Sequence, residues 1–285
     1  MGYKRIMLNK MLSVNNVNKN DRIARVFEEL KWKNKKALIP FITAGYPDYE
    51  SYLELFYFLE RNGADIIEIG IPFSDPLADG PVIQKTSKAA LESGINTDTV
   101  LNSVKEIRLK SSIPIVILAY FNTLYKYGLG KFLKKAENYG VDGLIIPDLP
   151  LEEFYNYKDV FNKSRIANIM LATLTSTRER LEKIADICSG FLYCVTVKGV
   201  TGARDDIDDQ TRDFLINLRS ITELPLAIGF GISNINQINK IKKYCDAVII
   251  GSKILSILME SKTLKIGLEK LKYFLAEINR VLKED

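Results

Sequence analysis

Two carboxylates stand where the surrounding pattern asks for something else. Glu68 sits inside an apolar run with Ile66, Ile67 and Ile69, and Asp79 follows in the loop of IPFSDPLADGP (71–81), which also carries Asp75. A carboxylate among isoleucines loses hydration, and that raises its pKa toward the range a general acid or base needs. Asp79 lies on the loop directly after this run and can lean over the same mouth. Each acid also has a plainer reading: Glu68 as half of an ion pair with a nearby lysine, Asp79 as a turn former before Gly80-Pro81, Asp75 as a turn or docking contact in Ser-Asp-Pro. Pro72, Pro76 and Pro81 stiffen the loop before anything binds, which lowers the entropy cost of holding its acids in place.

A second set of signals is glycine-rich. GVTGAR (199–204), GFGIS (229–233) and IGSKI (250–254) each follow a strand-like run. Backbone N–H groups near Gly231, Gly251 and Ser252 can approach a phosphate dianion, and Lys253 could add charge. There is no GxxxxGK[ST], and no GxGxxG opens a helix after an early strand, so a nucleotide cofactor is not expected. Phe41, Leu118, Tyr193 and Phe230, at other strand ends, could surround a flat apolar group, although each alone reads as core.

The elements that must position these groups are legible from hydrophobic periodicity. Eight short, nearly continuous apolar runs recur: 37–43, 65–71, 113–120, 143–149, 166–173, 191–197, 224–230 and 247–251. Continuous apolarity, without alternation, marks strands buried on both faces of a parallel sheet. Between them lie helical patterns. Tyr52, Leu55, Phe56 and Leu59 fall at i, i+3, i+4 and i+7 before Asn62-Gly63, and Leu268, Leu271, Leu275, Ile278 and Leu282 repeat the pattern near the C-terminus. Eight strand–helix units predict a single (β/α)8 TIM barrel of α/β class over residues 21–285, with a doubly wound open sheet as the alternative. Three runs begin alike: GADIIEIG (63–70), GVDGLIIP (140–147) and YCDAVIIG (244–251). Three positions after the shared aspartate stand Ile145 and Ile249 in two of them and Glu68 in the other, so Glu68 replaces an apolar barrel residue at the strand end where such barrels do chemistry.

Composition narrows the field. The chain has 285 residues, 47% hydrophobic and 26% charged, with a formal charge of +5. That is an ordinary globular balance, and a mild charge that argues for neither nucleic acid nor a membrane surface as the main partner. The absence of histidine excludes a Ser-His-Asp triad and His-ligated zinc, and no metal site is expected. Cys188, Cys194 and Cys245 make no CxxC and no even framework; they read as buried apolar residues in a reducing compartment, cytoplasm or organelle stroma, of a protein that is not secreted. Residues 1–20 contain no acid and no signal-peptide apolar core; they read as a disordered extension or the result of an early start codon, with Met7 and Met11 following.

The motifs PFITAGYPD (40–48), EIGIPFSDPLADGPVIQ (68–84), DGLIIPDLPLEE (142–153), TGAR (201–204) and GFGIS (229–233) resemble the tryptophan synthase alpha subunit family, from about Val26 to the C-terminus. The resemblance implies retro-aldol cleavage of indole-3-glycerol phosphate to indole and glyceraldehyde 3-phosphate. It carries the family's catalytic pair onto Glu68 and Asp79, and its phosphate-binding residues onto Gly202, Gly231, Gly251 and Ser252. The indole pocket falls on Phe41, Ile83, Leu118, Tyr193, Phe230 and Ile249, and a closing lid on Thr201 and Arg204. No cofactor is implied in this chain. Pyridoxal phosphate is expected on a beta-subunit partner in an alpha2-beta2 heterotetramer, docked through the proline-stiffened loop with Asp75 and the loop 121–128 with Asn122, Tyr125 and Tyr127. A stand-alone indole-releasing lyase and a catalytically silent activator of the beta subunit are the alternatives. The chain departs from the family pattern at Lys198, Lys253 and the unmatched N-terminal residues.

Overall fold

The computed structural model describes residues 21–196, 209–229 and 235–284. The apolar runs become nine parallel strands: β1 (Ala37–Thr43), β2 (Ile67–Gly70), β3 (Ile115–Leu118), β4 (Gly143–Ile145), β5 (Ala167–Ile169), β6 (Leu171–Thr173), β7 (Leu192–Val195), β8 (Leu226–Gly229) and β9 (Ala247–Ile250). Their order is β5-β4-β3-β2-β1-β9-β8-β7-β6. The two ends of that order are halves of one run, 166–173, interrupted at Met170. The Met170 carbonyl accepts from Tyr193 N–H at 3.0 Å, and its N–H reaches Cys188 Sγ at 3.4 Å instead of β4. One half of the run pairs with β4 and the other with β7, so the sheet closes on itself. The predicted (β/α)8 barrel therefore holds, with its fifth strand split, and the open sheet does not.

Helices cover the outside. The pattern over Tyr52, Leu55, Phe56 and Leu59 is the buried face of Tyr49–Arg61, and Leu268, Leu271, Leu275, Ile278 and Leu282 lie on the buried face of Leu264–Lys283. These side chains join a shell of buried residues between helices and sheet, while a second cluster fills the barrel interior. The interior cluster includes Ile23, Phe27 and Leu30 of α1 (Arg22–Trp32), a helix the sequence reading did not identify. The Asp21 side chain caps it, accepting from Ala24 N–H at 2.9 Å, and Phe27 packs against Phe191 with ring centroids 5.9 Å apart. This helix closes the N-terminal end of the barrel.

The repeated aspartate has a structural task at that end. Asp65, Asp142 and Asp246 each form a two-bond bracket with one residue of a neighbouring strand. Asp65 accepts from Leu38 N–H at 2.7 Å and donates its own N–H to Leu38 O at 2.9 Å. Asp142 does the same with Ile115, at 2.8 and 2.9 Å, and Asp246 with Leu226, at 2.9 and 2.8 Å. Each carboxylate also holds a cation: Asp65 with Lys283, Asp142 with Arg22 at 2.7 Å and Arg108 at 2.6 Å, Asp246 with Arg219. The aspartates thus fix strand register, and register decides which side chains face inward.

The three side chains are 7% exposed for Asp142, 18% for Asp65 and 33% for Asp246. Removing a carboxylate strands its cation and the strand's N–H in proportion to burial. Asp142→Ala is expected to cost about 3–5 kcal/mol of folding stability, since it leaves the Arg108 guanidinium buried and unpaired. Asp65→Ala should cost less, and Asp246→Ala least. Chemical denaturation of the three variants checks the order; equal losses would contradict the bracket account.

Candidate active site

Strand register brings the singled-out residues to one mouth. Phe41 of β1 pairs with Glu68 of β2, Glu68 with Val116 of β3, Leu118 of β3 with Ile145 of β4, and Ile39 of β1 with Ile249 of β9. Ile145 and Ile249 belong to the barrel-interior cluster, so Glu68 occupies an interior position of the repeat. It is 1% exposed, and among the described residues neither carboxylate oxygen has a hydrogen-bond partner. The ion-pair reading of Glu68 finds no cation among those residues. Burial pushes its pKa up to about 8, and the nearby Asp79 charge adds to the rise.

Asp79 is 6% exposed. Its backbone closes a turn onto Pro76 O at 3.1 Å, and its carbonyl accepts from Gln84 Nε2 at 2.9 Å. Its carboxylate caps nothing. The next helix, Pro81–Glu92, begins at Gly80 without a side-chain cap and with proline in its first turn. The turn-former reading therefore describes the Asp79 backbone only. Burial pushes its pKa up to about 6, opposed by the Tyr120 hydroxyl, which favours the carboxylate. The two acids thus sit in one pocket with their pKa values pushed apart.

Largely apolar side chains surround them. Phe41, Leu118, Tyr193 and Ile249 are buried in the interior cluster, and Ile83 packs against it from the helix Pro81–Glu92. That helix is fastened to β1 by the Thr86 and Thr43 hydroxyls, 2.7 Å apart. The rings lie over glycine backbones. A Cβ on Gly70 would come 2.6 Å from Phe41 Cζ, and one on Gly229 would come 2.3 Å from the Tyr193 hydroxyl. Those two glycines therefore make the space for the two rings. Burial, with the charges of Glu68 and Asp79, holds the Tyr193 phenol well above its ordinary pKa, so it stays protonated.

Gly251 and Ser252 begin the helix Ser252–Met259 at the same end of the barrel, where the first N–H groups of a helix have no partner inside it. The Gly251 backbone lies against Phe41: a Cβ on Gly251 would come 2.9 Å from Phe41 Cδ1. Phe230, Gly202, Gly231, Thr201, Arg204 and Lys198 lie outside the described residues. Asp75 and Asn122 are exposed. The segment expected as a loop over 121–128 is instead a short helix, Phe121–Tyr127, ended by Gly128 at φ 88°. Tyr125 in it is 64% exposed, whereas Tyr127 turns inward and donates to Asp98 at 2.6 Å.

Sequence reasoning overlooked Tyr120, Phe73 and Gln84, which hold the loop bearing Asp79. The available signal was a tyrosine closing the third apolar run, a polar tip at a strand end. Among the described residues no group of three or more Cys, Asp or Glu could hold a metal ion, and no helix is long and apolar enough to cross a membrane.

Comparison with known proteins shows the family. The Tryptophan synthase alpha chain family matches residues 27–283. A tryptophan synthase alpha chain of Caldanaerobacter subterraneus subsp. tengcongensis is 46% identical over 262 residues, covering 92% of this chain and 100% of its own length. One from Thermoanaerobacter sp. (strain X514) is 44% identical with the same coverage. Among solved structures, tryptophan synthase subunit alpha of Legionella pneumophila superposes with a TM-score of 0.85 at 32% identity, covering 93% of this chain and 99% of that one. A Mycobacterium tuberculosis tryptophan synthase structure gives 0.84 at 31% identity, with 93% and 99% covered. By the match of the family over most of its length and by these relatives, the chain belongs to the tryptophan synthase alpha chain family, the carbon–carbon lyases of the alpha reaction in tryptophan biosynthesis.

Proposed function

We propose that Glu68 and Asp79 carry the retro-aldol cleavage of indole-3-glycerol phosphate in this chain. The observation that supports this most is Glu68, a buried carboxylate with no hydrogen-bond partner among the described residues, inside the apolar cluster of the barrel interior. An acid held this way has its proton available to a substrate and to nothing else. Glu68 gives that proton to C3 of the indole ring. As carboxylate it then takes the proton of the hydroxyl on the adjacent carbon, the carbon–carbon bond breaks, and the aldehyde leaves. Asp79 accepts the indole N–H and stabilises the positive charge that grows on the ring when C3 is protonated. Phe41, Leu118, Ile83, Tyr193, Phe230 and Ile249 hold the flat ring, and Gly251 and Ser252, with Gly202 and Gly231, bind the phosphate through N–H groups. Thr201 and Arg204 belong to the lid.

The reading extends to a partner. The alpha chain docks on a beta subunit, which holds the pyridoxal phosphate, in an alpha2-beta2 assembly. Leu77, 88% exposed, and Tyr125 lie with Asp75 and Asn122 on the two segments that leave β2 and β3 at the mouth. A docking surface at this rim covers the exit through which indole, small and apolar, would otherwise escape. Exposed large apolar side chains on short, fastened segments suit that use.

Four outcomes follow. Glu68→Gln should keep the fold and bind substrate but lose lyase turnover by about 10²–10⁴-fold; indole release by the purified chain measures it, and a variant keeping half the wild-type rate would exclude the assignment. The reactive state has Asp79 ionised and Glu68 protonated, so kcat/KM should be bell-shaped, rising near pH 6 and falling near pH 8. The same raised pKa makes Glu68 bind its proton more tightly in the folded than in the unfolded chain. Stability should therefore fall as pH rises from about 4.5 to about 8, by up to about 1.4 kcal/mol per unit from this group, and Glu68→Gln should remove that share, leaving only the slope that the raised Asp79 contributes below about pH 6. For the partner, titration calorimetry with a beta subunit should give weaker binding for Asp75→Ala and for Leu77→Ala/Tyr125→Ala than for wild type; equal affinities would move the interface elsewhere.

A further inference from the structure

The chemistry above leaves one buried polar group without a task. Tyr120 follows β3, is 3% exposed, and reaches into the loop that carries Asp79. Three loop residues meet it. Its ring stacks on Phe73 with centroids 4.9 Å apart and planes at 23°. Its hydroxyl accepts from Ala78 N–H at 3.1 Å, and it acts on the Asp79 carboxylate next along the chain. Where the loop leaves β2, Ile71 N–H reaches Leu118 O of β3 at 2.9 Å; beyond that, its fastenings Asp79 N–H to Pro76 O and Gln84 Nε2 to Asp79 O are local. Tyr120 ties it across 42 residues of sequence to β3. The anchor is itself braced from behind, because the Asp148 carboxylate accepts Phe121 N–H at 2.7 Å.

A phenol has one O–H to give and lone pairs to receive. With Ala78 N–H on a lone pair, the Tyr120 hydrogen is free to turn toward Asp79. We propose that Tyr120 is a positioning residue for Asp79: its hydroxyl receives from Ala78 and donates to the Asp79 carboxylate, fixing that carboxylate as an acceptor over the barrel mouth. The assignment rests on the reading of Asp79 as acceptor of the indole N–H. The charged and titratable groups around Asp79 are Glu68 from β2 and Tyr193 from β7, and Asp148, from the segment after β4, faces Tyr120. None of them is a cation. Among the described residues the Tyr120 hydroxyl is the group that favours the Asp79 carboxylate against burial. Burial and the Asp79 charge hold Tyr120 itself protonated, so it serves as donor throughout the working pH range.

The experiment uses the full chain with carbon-13-labelled aspartate. The Asp79 side-chain signal is assigned by its loss in Asp79→Asn, and its titration is followed in wild type and in Tyr120→Phe. The midpoint is expected to rise by on the order of one pH unit in Tyr120→Phe. The acid limb of kcat/KM should move up with it, and kcat should fall on the order of tenfold with KM changed less. In the Asp79→Asn background, Tyr120→Phe should add little further loss, since both changes remove the same contact. Thermal melting and near-ultraviolet circular dichroism report whether Tyr120→Phe keeps its fold. A folded variant whose Asp79 midpoint and acid limb are those of wild type overturns the proposal. If Asp79→Asn alone leaves turnover intact, the reading of Asp79 in the reaction fails, and the titration midpoint still decides whether Tyr120 positions it.

Discussion

The structure depends on one costly arrangement, a carboxylate in the interior of a closed barrel with no hydrogen bond from any described residue to offset its desolvation. Burying a charge unpaired is so unfavourable that the group keeps its proton instead, and on the reading proposed here that retained proton is the reagent. The rest of the pocket preserves this state. Phe41 and Tyr193 exclude water, Gly70 and Gly229 give their rings room, and α1 seals the far end with Ile23, Phe27 and Leu30. Were a lysine side chain within reach of Glu68, the acid would ionise at ordinary carboxylate pH and lose its proton before substrate arrived.

The same residue type is used in the opposite way at the other end of the barrel. Asp65, Asp142 and Asp246 are bonded to strand N–H groups and to cations, so their charge is compensated and they act as fasteners. Three positions further along the repeat, Ile145 and Ile249 fill the interior, and Glu68 takes their place in the third copy. Fastener and reagent differ in their partners and their end of the strand. That division suits a barrel, where bonding at the N-terminal end fixes register and leaves the C-terminal end free for chemistry.

The fold was legible because it rests on periodicity. Continuous apolar runs announced parallel strands, and the i, i+3, i+4, i+7 spacing of Tyr52, Leu55, Phe56 and Leu59 announced a helix whose buried face is made of those four residues. Glu68 was legible as a break in a repeat. The features that escaped are set by tertiary contact. The interruption at Met170 comes from pairing with two different neighbours, which no single run records. Helix α1 is short and polar on its outer face, so its three inward residues became meaningful only once a barrel floor was there to receive them. The segment 121–127 looked like a loop because a seven-residue helix offers too few turns for a periodic signal. Tyr120 escaped for a different reason. A tyrosine ending an apolar run is ordinary core, and only the fold carries Ala78 and Asp79 to its hydroxyl.

The loop between β2 and the helix Pro81–Glu92 then has two faces within a few residues of each other. Asp75 and Leu77 point to solvent, while Phe73 and Asp79 turn into the mouth. On the reading proposed here, the surface that meets a partner and the acid that meets substrate are parts of one stiff segment pinned at Tyr120. The helix that follows Tyr120 carries Asn122 and Tyr125 on the same rim. Pressure on the segment after Tyr120 then reaches Asp79 through a single ring and its hydroxyl, and pressure on Asp75 and Leu77 reaches it along the loop itself. Coupling between two sites requires an element whose geometry both can bias, and it is reciprocal in binding free energy. A loop whose catalytic and docking residues share one anchor meets the geometric part of that requirement. Its prolines suit it further, because a segment with little internal freedom passes a displacement on instead of absorbing it.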